Sequence, residues 1–203
     1  MTAEQHNVRE LGPTPIGSGA IEHLRFIRST IEAANTFTTV PGKGCTVMGI
    51  TALAAVGLEA VPFFAERWLA VWIGAAIFAC FLALLFMEAK AKSQGLSLRR
   101  SVARRFFMTL APAFLAGAVL TAALHDQVSR EVVSGVWLLL YGTGIAACGL
   151  FSIPVVGVAG VGFMLLGTIA LWLPDGYALP VLALGFGGIH LALGALITRN
   201  HGG

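Results

Sequence analysis

Six apolar runs, at about 42–64, 68–89, 106–124, 133–151, 155–173 and 178–197, occupy most of this chain. A hydrocarbon layer about 30 Å thick is crossed by roughly 20 apolar residues in a helix, which satisfies its own backbone polar groups away from water. Runs of this length and number predict an all-α integral membrane protein with six transmembrane helices. The breaks between runs support the division. "AERW" sets Glu66 and Arg67 between the first two, and "HDQVSREV" separates the third and fourth. "LPDGY" supplies Pro174, Asp175 and Gly176 as turn chemistry before the last run. At "FSIP", Pro154 ends one helix and shapes the start of the next, with one long kinked helix as the alternative. Charged residues make up only 11% of the chain, under half of the roughly 25% usual in soluble domains.

Charge then orients the spans. With the N-terminus inside, the inner segments hold Arg9, Arg25, Arg28, Lys43, Lys90, Lys92, Arg99, Arg100, Arg104, Arg105 and Arg199, and only Arg67 and Arg130 fall outside. Lys and Arg concentrate in the cytoplasmic loops of membrane proteins. Both termini are therefore expected on the cytoplasmic side of a bacterial inner membrane. The inner loop "KAKSQGLSLRRSVARR" carries Lys90, Lys92, Arg99, Arg100, Arg104 and Arg105 with no acidic residue. It fixes topology and offers cations to anionic lipid head groups or an acidic partner. No aromatic platform accompanies it, so nucleic acid is not an expected partner.

Ahead of the spans, residues 1–19 contain Pro13, Pro15 and three glycines and predict a mobile cytoplasmic tail. Residues 20–34 place Ile21, Leu24, Ile27, Ile31 and Ala34 on one side at helical spacing, beside Arg25, Arg28 and Glu32. That pattern predicts an amphipathic helix lying on the inner membrane surface or against the cytoplasmic ends of the bundle. No charged start followed by a short apolar core precedes the first run, so that run is expected to be retained. The transmembrane domain covers 42–197, and 198–203 form a second cytoplasmic tail.

Candidate sites are few. "PGKGCT" has a Lys between two glycines but follows a helical segment and lacks the spacing of a nucleotide-binding loop. Two readings remain for it. Gly42, Lys43 and Gly44 form a hinge into the first span, with Lys43 reaching to the interface, or they hold an anion such as a lipid phosphate at a helix N-terminus. His190, in "GFGGIHLALG", lies deep in the last run among apolar and small neighbours. A neutral His there needs a partner, for which a backbone carbonyl, Tyr141 or Ser152 would serve. It is a helix-to-helix hydrogen bond, a proton-relay group, or a haem or metal ligand. Cys45, Cys148 and His190 share the inner half of the membrane on this topology and would form a soft metal site only if their helices converged. The three cysteines lie in apolar runs and are expected as reduced, buried thiols.

The second half is rich in glycine, and small residues let membrane helices approach closely. Gly144, Gly185, Gly188 and Gly194 are candidate packing positions, within a tight bundle or between copies of the chain. No Ser-His-Asp set, paired carboxylates or His-Glu-x-x-His motif lies in the spans. A non-enzymatic protein with no predicted cofactor is expected, haem or metal at His190 staying open. The leading function is a structural or accessory subunit packing with itself or another membrane protein through Gly-rich faces. A small transporter or channel with His190 in its path is the alternative, with a haem- or metal-binding redox subunit beside it.

Two resemblances add to this. The runs "RFIRSTIEAANTFTTVPGKGCTVMGITALAA", "WLLLYGTGIAACGLFS" and "GFGGIHLALGALI" resemble a group of small six-span bacterial membrane proteins without an assigned activity. The segment "FMLLGTIALWLPDGYALPVLALGFGGIHLALGALI" is similar to the repeated hairpin of the HdeD acid-resistance family, which implies an acid-stress role.

Overall fold

The computed structural model describes residues 19, 21–27, 40–93 and 101–201. Among the described residues 86% are helical and there is no strand. The chain divides into two compact units, residues 1–35 and 36–203. In the first, residues 21–27 form two turns of helix, with Ile21, Leu24 and Ile27 all more than half exposed. Of the tail expected at 1–19, residues 1–18 lie outside the described residues, as does the continuation of the amphipathic helix over 28–34.

The second unit runs α1 (Gly42–Glu59), the single turn α2 (Pro62–Ala65), α3 (Trp68–Ser93), α4 (Ser101–Leu124), α5 (Arg130–Gly149) and α6 (Pro154–Ala170). A last rod follows, built end to end from α7 (Ala178–Leu182), a π-helical segment (Ala183–Ile189) and α8 (His190–His201). Four helices are long and apolar enough to cross a membrane: Trp68–Ser93, Arg104–Leu124, Arg130–Gly149 and the composite Ala178–Asn200. At 18 and 17 residues, α1 and α6 are shorter than these.

Local chemistry sets the boundaries. Pro154 stands at the first position of α6, where its missing N–H is no loss, and the chain breaks at 150–153 instead of running on as one kinked helix. Ser129 caps α5 by accepting from Val132 N. Gly176 turns the chain into α7 with φ 101°, a conformation that side chains with a Cβ rarely adopt.

Neighbouring helices run in opposite directions. α5 packs along α6, α4 lies against α5, and α1 is flanked by α3 and the last rod. Glycine decides the two closest contacts. Gly135, Gly142 and Gly149 recur every seven residues, two helical turns, and so share one face of α5. A Cβ on Gly142 would stand 2.7 Å from Gly160 O, and one on Gly135 would stand 2.9 Å from Gly167 O. The same spacing brings α1 to the rod, where a Cβ on Gly49 would lie 2.9 Å from Gly187 O. Around these seams Leu138, Cys148, Val156, Phe163 and Ile197 are fully buried in one core.

Candidate functional site

His190 begins α8 directly after the π segment and faces Tyr141 of α5. Tyr141 Oη lies 2.8 Å from His190 Nε2, and His190 Nδ1 lies 2.9 Å from the Phe186 carbonyl oxygen. A carbonyl only accepts, so the ring carries its proton on Nδ1, and Nε2 of the neutral imidazole accepts from the Tyr141 hydroxyl. Both ring nitrogens are thereby committed. The pair is enclosed by aromatic rings. Phe163 stands edge-on to Tyr141 at 4.9 Å and 5.1 Å from the His190 ring, Phe186 stacks on His190, and Phe114 meets the far edge of Tyr141. His190 is 3% exposed.

A metal or haem at His190 would need the Nε2 lone pair that the Tyr141 hydroxyl occupies. Nor do the cysteines join it. Cys148 Sγ donates to the Phe106 carbonyl at 3.6 Å, all three thiols are free, and among the described residues no three His, Cys, Asp or Glu side chains converge as a metal site.

At the start of α1, the faces of both glycines are filled. A Cβ on Gly42 would come 2.7 Å from Thr198 N and 2.9 Å from Gly194 O, and one on Gly44 would come 2.6 Å from Pro41 Cγ. Lys43 is exposed. It lines an open-sided groove of about 510 Å³ together with Thr46, Val47, Phe86, Ala195, Thr198 and Arg199. The sequence reading did not join Arg199 to Lys43, because 156 positions separate them.

The packing glycines turn inward. A Cβ on Gly144 would touch Leu110 and Ala113 of α4, one on Gly185 would overlap Leu138 at 2.5 Å, and one on Gly194 would meet Thr46. Gly188 meets only Leu184 and Ala183 of its own rod. Of the basic inner loop, Lys90 is buried and donates to the Val40 carbonyl at 3.0 Å, so it is a tie within the fold and not a displayed cation. Lys92 pairs with Glu88 at 2.8 Å. Arg104 and Arg105 are exposed, and Arg99 and Arg100 lie outside the described residues.

A second polar cluster, which the sequence did not suggest, closes the opposite end. Buried Glu59 accepts from Trp72 Nε1 at 2.7 Å and from Arg130 Nη1 at 3.2 Å, while Arg130 Nη2 donates to the Ala65 carbonyl. This joins α1, α2, α3 and α5. Glu131 accepts from the backbone N–H groups of Gly176 and Ala178 and so caps α7 from another helix. Glu59 and Arg130 carry opposite charges near the ends of two runs, but nothing in the sequence pairs them, and nothing local marks Trp72. Ser134 Oγ is the one buried side-chain polar atom without a partner among the described residues.

The fold and these sites define a helical protein with several helices able to cross a membrane. No family model, curated protein or solved structure matches the chain, so neither the six-span resemblance nor the HdeD resemblance gains support from known proteins.

Proposed function

We propose that the chain is a six-span bacterial inner-membrane protein with both termini cytoplasmic, acting as a non-enzymatic structural or accessory subunit. One observation carries the reading: buried His190 has both ring nitrogens taken, Nε2 by Tyr141 of α5 and Nδ1 by the Phe186 carbonyl of its own rod. Lys90 donates to the Val40 carbonyl, and Lys43, Phe86 and Arg199 line one groove, so the start of α1 and the ends of α3 and α8 lie together, which supports an even number of crossings.

Because the glycine faces of α5, α6 and α1 are taken up within the chain, contacts with a second copy or another membrane protein fall to α3. None of the most apolar 18 residues of α3 is buried. Purification in mild detergent, with native mass spectrometry and an absorption spectrum of one sample, tests this reading. A colourless oligomer or complex disrupted by Phe78→Ala with Phe81→Ala supports it, and a bound chromophore or stoichiometric metal overturns it. A second reading, a small transporter or channel, draws on the π segment beside His190, since such segments frequently accompany functional sites. In that case His190→Ala abolishes flux and leaves assembly intact.

A further inference from the structure

The groove at the ends of α1, α3 and α8 combines an apolar wall with two cations. Its wall is apolar, from Val47, Phe86 and Ala195, and it carries Lys43 and Arg199 from two helices that meet antiparallel. Neither cation makes an ion pair with a described residue, and no acidic residue is among the described residues that line the groove. Two cations without an ion pair among the described residues, beside an apolar wall, fit a molecule that is anionic at one end and apolar along its length.

We propose that this groove binds one anionic phospholipid, with the phosphate between Lys43 and Arg199 and an acyl chain along Val47, Phe86 and Ala195. A free phosphate would leave the apolar wall uncovered, whereas a lipid covers it. The site rests on the membrane reading for the source of its ligand and is independent of the accessory role.

The test uses the full chain in detergent, delipidated and titrated with phosphatidylglycerol or with phosphatidylcholine of the same acyl chains, bound lipid being counted by native mass spectrometry. One retained phosphatidylglycerol per chain is expected, preferred over phosphatidylcholine. Lys43→Gln with Arg199→Gln should weaken it about 30-fold, from the ~1 kcal/mol that each basic residue contributes at a membrane surface. The charge-matched control Arg104→Gln with Arg105→Gln should not weaken it. Ala195→Trp fills the groove with both charges intact and should displace the lipid in a protein that still runs as a single species. Equal retention of the two lipids, equal weakening by the control, or full retention in Ala195→Trp overturns the site. Displacement by millimolar inorganic phosphate overturns the lipid as ligand in favour of the free anion. Recovery of the wild-type chain in the soluble fraction removes the membrane reading and this site together, whereas a membrane-bound chain without the preference removes only the site.

Discussion

α3 and α5 are both long enough and apolar enough to cross a membrane, yet half of the most apolar stretch of α5 is buried in the protein and none of that of α3 is. α3 is the more apolar of the two, at a mean hydropathy of 2.6 against 1.6, and the spacing of glycine sets them apart as well. On α5, Gly135, Gly142 and Gly149 line one face and meet the backbone of α6. On α3, the solitary Gly74 has nothing within 4 Å of where a Cβ would stand. Among lipid tails there is no hydrophobic gain in bringing helices together, so close packing of small faces decides which helix goes inside. Large side chains such as Ile77, Phe78 and Phe81 keep α3 at the edge, each more than half exposed.

The sharpest way to break that contrast is to place bulk on each side of it. Gly160→Leu is expected to abolish folding, because even a Cβ there would stand 2.7 Å from Ala146 Cα and 2.8 Å from Gly142 O. The milder Gly160→Ala costs about 1–3 kcal/mol by overpacking, and Gly74→Leu leaves the protein folded. Yield as a single species in gel filtration, with a thermal melt, reads all three. A well-folded Gly160→Leu would end the argument from spacing.

Removing a polar tie tests whether α3 depends on the contacts of its first turns for its place. Glu59→Ala strips the acceptor from Trp72 and Arg130, and about 1–2 kcal/mol of stability should go with it. The figure is kept low because Arg130 is 44% exposed and its charge is screened there. Glu59→Gln, which still accepts from Trp72, should recover part of the loss in the same melt.

Inside the α5 seam, Tyr141→Phe leaves His190 Nε2 without its donor and should cost about 1 kcal/mol. A double-mutant cycle with His190→Phe should show coupling of that size; additive losses would mean that the two rings merely pack. The smallest effect belongs to α3 again. Gly74→Ala should raise stability by about 0.5 kcal/mol, the usual gain from replacing an exposed helical glycine.

The helices were legible because hydropathy acts over runs of about twenty residues. The run at 68–89 became Trp68–Ser93 and that at 133–151 became Arg130–Gly149, with charged residues extending helices past the apolar limit. The contacts were less legible because they join distant positions. Tyr141 was one of three partners that depth alone allowed His190, and 49 positions separate the two. Arg130 read only as a cation outside the spans, and its partner Glu59 lies 71 positions away. The seven-residue glycine spacing was present in the sequence, but its meaning depends on which helix lies opposite. Lys90 read as a loop cation because nothing near it in sequence shows the Val40 carbonyl that it reaches. The π segment had no signal beyond the crowding of Gly185, Gly187 and Gly188.

That segment gives the last rod an uneven tolerance to changes in its length. A π turn takes in one residue more than an α turn and leaves the faces before and after it aligned. Loss of a single residue within Ala183–Ile189 would therefore close the wide turn into ordinary α-helix, with His190 still facing Tyr141 and Gly194 still facing Thr46. Loss of one residue after His190 has no such slack to draw on. It would rotate the remainder of α8 by about 100° and carry Gly194 off the face it shares with α1.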